Sequence, residues 1–270
     1  MVRRRLRQGP EKVIEILISH EKRGMPETAV LDFDGTVSKL RSGWESVMAP
    51  LMEECIPGDK DEVKRLVADY IDQSTGIQTI LQMKWLASKV SERGGEPLDP
   101  WEYKDEYNRR LMVEVGRRRQ AVISGSEPRS RYTVAGAECF LSALREEKIR
   151  IFAASGTDEP DVVAEAEALG LSGYFDGIYG SRRGSELCSK EAVLKTLVKT
   201  DERLFVAGDG KVEIALGREA GALTLGLCTE DIPGDDSHTV DPAKRRRLAA
   251  AGAHALVPDF ASTDEILSWM

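Results

Sequence analysis

The stretch AVLDFDGTVSKL, residues 29–40, places two carboxylates directly after a run of apolar residues. Residues 28–33 have the nearly continuous apolar and β-branched composition of a strand that is buried on both faces of a parallel sheet. Asp32 and Asp34 stand where this strand ends, and residues two apart in an extended chain point the same way. Two carboxylates that face one cleft suit the binding of a hard cation, or a nucleophile beside a general acid.

Similar apolar runs recur along the chain and alternate with helical patterns. They cover residues 149–155, 203–209, 222–227 and 254–258. Alternation of buried strands with helices predicts an α/β fold in which helices wind around both faces of a parallel sheet.

One interval breaks this alternation. Residues 42–128 contain no convincing buried strand, and helical patterns cover residues 44–54, 60–71, 76–93 and 100–118. This is too much helix for a crossover between neighbouring strands, so the sequence predicts an inserted all-helical domain. We place the core domain at residues 1–40 and 129–270 and the helical domain at residues 41–128.

Two further segments carry patterns of their own. Val13, Ile14, Leu17 and Ile18 fall on one stripe, and with Gly24 after them they predict an N-terminal helix. Residues 244–247, with the sequence KRRR, are interpreted as a solvated helix face rather than a nucleic-acid patch.

The ends of the other predicted strands also carry polar groups. Ser155 and Gly156 offer a hydroxyl and amides ahead of a helix N-terminus, where anions bind well. Lys190 opens the next helix, and Asp209 and Glu213 lie one helical turn apart in GDGKVE. Because open α/β sheets bind ligands at the carboxyl ends of their strands, we expect these groups to share one site.

Carboxylates and a nearby hydroxyl at this expected site suit the binding of a metal ion and an anion. Oxygens of Asp32 and Asp209 are the ligands that Mg²⁺ prefers, together with water and substrate phosphate. Gly35 lets the backbone turn away from the strand, and Thr36 offers a hydroxyl and an amide to an anion.

Composition limits the partners and the compartment. The chain has 270 residues and a formal net charge of -8, which argues against nucleic acid as a partner. No apolar run is long enough to span a bilayer, so we expect no membrane partner. The four cysteines include no CxxC pair and suit a reducing cytoplasm. We expect a monomer or a homodimer.

Four motifs in order along the chain carry a family resemblance: DFDGTVS, Ser155, Lys190 and GDGKVE. With them the sequence resembles the hydrolases of the haloacid dehalogenase superfamily, in the branch with a C1-type helical cap after the first motif. The resemblance covers the chain from Thr28 onward. It implies a Rossmann-like core and a Mg²⁺-dependent phosphatase that acts on a small soluble metabolite, such as a sugar phosphate.

The resemblance also implies roles for individual acids. Asp32 would be the nucleophile that forms an aspartyl-phosphate, and Asp34 would act as general acid and then as general base. Asp32, the backbone carbonyl of Asp34, and Asp209 would bind Mg²⁺, with Glu213 acting mostly through ordered water. Two departures from the common pattern leave the outer ligands open: Gly210 follows Asp209, and Glu213 stands where aspartate is frequent.

Phosphate and substrate contacts follow from the same resemblance. Ser155, Gly156, Lys190 and Thr36 would bind the phosphoryl group. Alternatively, Lys190 is a surface charge at the start of a helix, which is common for lysine. Ser155 could simply cap the helix that follows it.

Residues near the helical insertion are candidates for selecting the substrate. Arg41 is the best candidate for binding a second anionic or hydroxyl-bearing group, with Lys39 and Gln78 beside it. An equally good interpretation is that Lys39 and Arg41 are solvated residues of a hinge. Gln78 is then an ordinary position in a helix. A phosphomutase is the nearest alternative function. A phosphonate hydrolase and a non-catalytic binding module are less favoured, because Asp32, Asp34 and Asp209 are all present.

Overall fold

The computed structural model describes residues 13–21, 24–184, 189–198, 203–235 and 237–270. Within these residues, seven strands form one sheet. They are β1 (Glu15–Ile16), β2 (Thr28–Leu31), β3 (Arg150–Asp158), β4 (Gly177–Ser181), β5 (Leu204–Gly208), β6 (Leu223–Leu227) and β7 (Ala255–Val257).

The strand order across the sheet is β1-β7-β6-β5-β2-β3-β4. β2 to β7 run parallel, and all four residues of β2 are buried between β3 and β5. From β2 the chain builds outward through β3 and β4, and it then returns to the other side of β2 for β5, β6 and β7. The order therefore reverses beside β2, which is where such sheets bind ligands.

Helices cover both faces of the sheet, as the sequence predicted. The helices of the described residues are α1 (Glu45–Cys55), α2 (Lys60–Ser74), α3 (Thr79–Glu92), α4 (Pro100–Ile123), α5 (Ala137–Glu146), α6 (Glu159–Ala168), α7 (Ser189–Val198), α8 (Lys211–Glu219), α9 (Pro242–Ala250) and α10 (Thr263–Trp269). Those that pack against the sheet are α5 to α10. Ala29 and Leu31 pack in one buried cluster with residues of α5, α6 and α10, whereas Val30 packs in another with residues of α7. Successive residues of β2 thus serve opposite faces, which confirms the doubly wound α/β fold.

The interval predicted to be helical contains α1 to α4, joined by short turns. These helices have a hydrophobic cluster of their own, which includes Met52, Met83, Leu86 and Val115. Asp59 and Asp99 cap α2 and α4 by accepting hydrogen bonds from backbone amides of the first turn. The exact domain boundaries at residues 40 and 128 stay a prediction.

The predicted N-terminal helix is wrong. Residues 13–21 contain no helix, and within them β1 pairs antiparallel with β7. The backbone amides of Leu17 and Ile18 both donate to the carbonyl of His254, at 2.9 and 3.0 Å. Only Ile14 of the predicted stripe is buried, whereas Val13, Leu17 and Ile18 are exposed. A free sheet edge offers backbone partners that the local apolar spacing does not reveal.

Some strands and helices of the fold were not predicted from the sequence. β4 is short, and its sequence GIYGS contains two glycines, which weaken the pattern of a strand. α5 and α10 were not predicted, although both pack against the core of the sheet. No helix in the described part of the chain combines the length and the apolar composition needed to cross a bilayer.

Candidate active site

The candidate site lies at the carboxyl ends of β2, β3 and β5. Asp32 follows β2, Ser155 lies within β3, and Asp209 follows β5. The backbone amide of Asp32 donates to the carbonyl of Ala207 on β5 at 2.9 Å. This bond continues the ladder between the two strands, so Asp32 and Asp209 are held side by side.

A tight turn at Gly35 brings Asp209 over the backbone of the first motif. Gly35 has φ +75°, and a Cβ built on it would lie 2.2 Å from Oδ2 of Asp209. The turn therefore needs glycine both for its conformation and for the space that the carboxylate fills. The hydroxyl of Thr36 accepts a hydrogen bond from the amide of Asp209 at 3.0 Å. Thr36 is fully buried and positions Asp209; it does not line the pocket in the described structure.

Lys190 bridges two of the buried acids. Its ammonium lies 2.9 Å from Oδ2 of Asp32 and 2.8 Å from Oε2 of Glu213. Burial opposes the charged form of this lysine, but the Asp32 and Glu213 carboxylates raise its pKa above the ordinary value. Burial, with the Glu213 and Asp209 carboxylates, raises the pKa of Asp32, against the lowering effect of Lys190. Lys190 is therefore part of the site rather than a surface charge.

Three acids are close enough to share a cation. Asp32, Asp209 and Glu213 are buried, and one carboxylate oxygen from each lies within 4.8 Å of the others. Gly210 makes room for the longest of them, because a Cβ there would lie 2.9 Å from both oxygens of Glu213. The amide of Gly210 donates to Oε1 of Glu213 at 2.5 Å. A glutamate at this position thus fits together with the glycine that follows Asp209.

The second acid of the first motif is held by two hydroxyls. Ser155 and Thr157 donate to Oδ2 of Asp34 at 2.9 and 2.8 Å. Oδ1 of Asp34 is buried and has no hydrogen-bond partner among the described residues. Sequence reasoning missed Thr157, although its spacing of two from Ser155 along β3 could have placed both on one side of the strand.

A second lysine also reaches the site, from α9. The ammonium of Lys244 lies 2.7 Å from Oδ2 of Asp209 and 2.8 Å from Oδ2 of Asp231, which follows β6. The interpretation of residues 244–247 as a solvated face is therefore wrong for Lys244, which is buried. Burial opposes its charge, yet Asp209 and Asp231 raise its pKa above the ordinary value. Arg245 and Arg246 of the same helix are exposed.

One pocket contains these strand ends and extends to the helical region. Its lining includes Asp32, Asp34, Ser155, Gly156, Lys190 and Asp209, all of them predicted site residues, and Asp231 and Thr157, which were not predicted. Gly35, Arg41 and Ser42 also line it, together with residues of α3, of α4 and of the segments before α1 and α3: Trp44, Thr75, Gly76, Ile77, Thr79, Gln82, Tyr107 and Leu111.

The three predicted substrate contacts have different surroundings. Arg41 lines the pocket, but its guanidinium donates to Glu165 of α6, with Nη2 to Oε1 at 2.7 Å and Nε to Oε1 at 3.0 Å. Lys39 is buried, and its ammonium donates to the carbonyl of Asp235 at 2.8 Å. Gln78 is buried just before α3, and its two chain neighbours line the pocket in its place. The described structure therefore brings Arg41 to the pocket, but not Lys39 or Gln78.

A family model identifies the family of the chain. A family model described as haloacid dehalogenase-like hydrolase matches residues 26–221. No curated protein matches the sequence.

Solved structures share the fold at low sequence identity. A predicted phosphatase from Clostridium acetobutylicum is 16% identical with a TM-score of 0.60, covering 91% of this chain and 100% of that chain. A phosphonoacetaldehyde hydrolase-like protein from Oleispira antarctica is 15% identical with a TM-score of 0.61, covering 91% and 92%. A beta-phosphoglucomutase from Clostridium difficile is 16% identical with a TM-score of 0.53, covering 75% and 85%. At these identities the likeness shows the fold alone.

Proposed function

Because the chain belongs to the haloacid dehalogenase-like hydrolases, we propose that it is a Mg²⁺-dependent phosphatase of a small, soluble phosphomonoester. The observation that carries this proposal is the pair Asp32 and Asp34 at one pocket. Asp32 is held by Lys190, whereas Asp34 keeps Oδ1 without a hydrogen-bond partner among the described residues. Action in the cytoplasm, which the cysteine pattern predicts, belongs to the same proposal.

The reaction proceeds in two displacements. The Asp32 carboxylate attacks phosphorus, the bond from phosphorus to the alcohol oxygen breaks, and the proton of Asp34 passes to that oxygen. This gives an aspartyl-phosphate on Asp32 and a free alcohol. Asp34 then takes a proton from water, which attacks phosphorus and releases inorganic phosphate from Asp32.

Lys190, Ser155 and Gly156 bind the transferring group. The ammonium of Lys190 offsets charge on the phosphoryl oxygens, since it lies beside the nucleophile. Ser155 directs its hydroxyl toward Asp34 and lines the pocket with Gly156. The Ser155 hydroxyl and the backbone amides near the carboxyl end of β3, shortly before α6 begins, suit an anion.

The acids fit Mg²⁺. Asp32, Asp209 and Glu213 supply the hard oxygen donors that this ion prefers, and the missing Cβ of Gly35 admits Asp209 beside the first motif. The ion would be held by Asp32, Asp209 and the backbone carbonyl of Asp34. Glu213 would act mostly through ordered water. When bound, Mg²⁺ supplies positive charge that stabilises the transferring phosphoryl group.

The helical region at residues 41–128 covers this site as a cap. Its residues Trp44, Thr79, Gln82 and Tyr107 line the pocket beside the acids of the core. The core motifs handle only the phosphoryl group, so the cap supplies the contacts that select the rest of the substrate. Closure of such a cap over bound substrate shields the reaction from bulk water.

The first test combines a nucleophile variant with metal removal. Asp32→Asn should lower release of inorganic phosphate from a panel of phosphomonoesters by at least about a thousandfold, because an amide is a poor nucleophile and a poor metal ligand. Asp105→Asn, an exposed acid on α4, is the matched control. Excess EDTA should abolish activity, and Mg²⁺ should restore it. Full activity of Asp32→Asn, or in EDTA, would reject the proposal.

A phosphomutase remains the second candidate, since phosphoryl transfer within a sugar also uses an acid pair such as Asp32 and Asp34. The same assay separates the two when sugar phosphates are followed by ³¹P NMR. A phosphatase releases inorganic phosphate first, whereas a mutase produces a phosphorylated isomer faster than free phosphate. The phosphonate alternative is disfavoured, because Asp34 provides the proton that a leaving alcohol needs.

A further inference from the structure

Acidic side chains outnumber basic ones in the lining of the pocket. Four carboxylates line it, from Asp32, Asp34, Asp209 and Asp231, against two cations, Arg41 and Lys190. A phosphoryl group and a metal ion would use the charges around Asp32. The rest of a substrate would therefore meet the remaining part of the pocket, around Arg41 and Asp231.

Arg41 is not available to a second anion. Its guanidinium lies 2.7 Å from Glu165, 3.4 Å from Asp161 and 3.8 Å from Asp34. One positive charge thus faces three carboxylates. Lys190 is held in the same way between two carboxylates, so neither cation that lines the described pocket is without an acidic partner. A carboxylate or second phosphate on the substrate would gain little attraction there and would face acids of like charge.

Asp231 offers the pocket a hydrogen-bond acceptor rather than a cation. Lys244 fixes its Oδ2 at 2.8 Å and is itself fixed by Asp209 at 2.7 Å. Oδ1 of Asp231 is buried and has no hydrogen-bond partner in the described part of the chain. Buried acceptors are normally paired, and an unpaired one is costly. A fixed acceptor beside the pocket is ready for a donor that arrives with a ligand.

Apart from Arg41, the residues of the helical region that line the described pocket are uncharged. Thr75, Thr79, Gln82 and Tyr107 contribute hydroxyls and an amide, and Trp44 contributes an aromatic surface. Such groups suit an alcohol with several hydroxyls, which can both donate and accept hydrogen bonds.

We propose that the leaving group of the substrate is an uncharged, hydroxyl-bearing alcohol, and that Oδ1 of Asp231 accepts a hydrogen bond from one of its hydroxyls. This inference rests on the proposed phosphatase function. Binding sites built to hydrogen-bond a hydroxyl discriminate strongly against analogues that lack it, because the buried polar group is then left unpaired.

Three esters of similar size test the substrate class. Glycerol 3-phosphate carries two neutral hydroxyls, and 3-phosphoglycerate has a carboxylate in place of the terminal hydroxymethyl group. n-Propyl phosphate has neither a hydroxyl nor a carboxylate. We expect kcat/KM for glycerol 3-phosphate to exceed both others by at least about tenfold, which corresponds to about 1.4 kcal/mol. A preference for 3-phosphoglycerate, or equal values for all three, would overturn the inference.

Asp231→Ala tests the residue. The ratio of kcat/KM for glycerol 3-phosphate to that for n-propyl phosphate should fall to near one, whereas Glu230→Ala, at the adjacent position outside the pocket lining, should keep the wild-type ratio. The ratio cancels any general effect of the variant on the metal site. An unchanged ratio in Asp231→Ala would exclude Asp231 as the acceptor.

Binding measurements separate this inference from the proposed function. p-Nitrophenyl phosphate reports phosphatase activity without hydroxyls on its leaving group, so failure to hydrolyse any ester in Mg²⁺ counts against the function. Calorimetric titration of Asp32→Asn with glycerol 3-phosphate and n-propyl phosphate still tests the inference in that case. Tighter binding of glycerol 3-phosphate that disappears in Asp32→Asn/Asp231→Ala supports it, and equal affinities reject it.

Discussion

Asp34 presents its two carboxylate oxygens to different surroundings. Hydroxyls of Ser155 and Thr157 hold Oδ2, and Oδ1 lies buried without a hydrogen-bond partner among the described residues. One oxygen fixes the orientation of the side chain. The other makes only a long ionic contact, 3.8 Å from Nε of Arg41, and can exchange a proton. This division matches what a general acid needs, because the reacting oxygen must not be tied to the protein.

The proton role of Asp34 predicts a dependence on the leaving group. Asp34→Asn should lower kcat/KM for glycerol 3-phosphate by about a hundredfold or more, because an alkoxide leaves poorly without protonation. For p-nitrophenyl phosphate, whose leaving group is stable as an anion, the loss should stay within about tenfold. Steady-state kinetics on both esters measures the difference. Equal losses would indicate that Asp34 acts through folding or metal binding instead.

Single residues also show how far the sequence could predict this site. Asp32, Asp34 and Asp209 could be placed because each follows a strand with a clear apolar pattern, and neighbouring strand ends meet. Lys244 could not, because its contact with Asp209 depends on how α9 packs beside β6. Its sequence, KRRR, gives four similar cations, and only the packing buries the first of them.

At the scale of elements, a buried ion pair joins the entrance of the cap to α6. Arg41 lies just before α1, and Glu165, in α6 of the core, is fully buried. Burial raises the pKa of Glu165 to about 7, against the lowering effect of the Arg41 guanidinium. Arg118 of α4 adds hydrogen bonds to the carbonyls of Leu40 and Ser42, both at 2.9 Å. Together these contacts fix the chain where it leaves the core.

Loss of Arg41 should therefore affect stability more than selectivity. Arg41→Met leaves Glu165 without its buried partner. We expect the free energy of unfolding to fall by about 3 kcal/mol or more at about pH 9, where a pKa of about 7 leaves Glu165 ionised in the wild type. Arg109→Met, which breaks an exposed pair with Glu106 on α4, should cost less than about 1 kcal/mol. Urea unfolding of both variants gives the comparison. The loss in Arg41→Met should shrink as the pH falls, because protonation removes the charge of Glu165.

The role in substrate selection that the sequence predicted for Arg41 would give a different kinetic result. A selector would lower kcat/KM on an anionic natural substrate and spare a small artificial phosphate. The ion pair predicts parallel losses on both esters. A tenfold greater loss on 3-phosphoglycerate than on p-nitrophenyl phosphate would restore the selector role. The sequence could not decide, because Glu165 lies far from Arg41 along the chain and is one of several acids in EPDVVAEAEA.

Across the whole molecule, His254 links stability to pH. It lies just before β7, where the amide of Thr224 on β6 donates to its Nδ1 at 3.1 Å. Burial and the neighbouring Arg218 guanidinium lower the pKa of His254 from 6.5 to about 4. The folded protein therefore keeps a neutral ring at pH values where the unfolded chain would take up a proton.

This shift sets a direction for acid destabilisation. The contribution of His254 is present above about pH 6.5 and is lost as the pH falls toward about 4, because only the unfolded state gains the proton. His254→Asn removes this titration. The difference in unfolding free energy between wild type and variant should thus decrease from pH 7.5 to pH 4.5 in urea unfolding experiments. A difference that is independent of pH would contradict the assignment, since carboxylates shared by both proteins cancel.

The short strand β1 has a further consequence for the molecule as a whole. Without it, β7 would stand at the open edge of a parallel sheet, with backbone donors and acceptors ready to pair with any other extended chain. β1 covers that edge with only two residues, and it runs antiparallel to its neighbour. So short a strand offers little template for another chain, which is how natural sheets avoid growth into aggregates. Among the described residues, β1 thereby limits the backbone groups that β7 could offer to another extended chain.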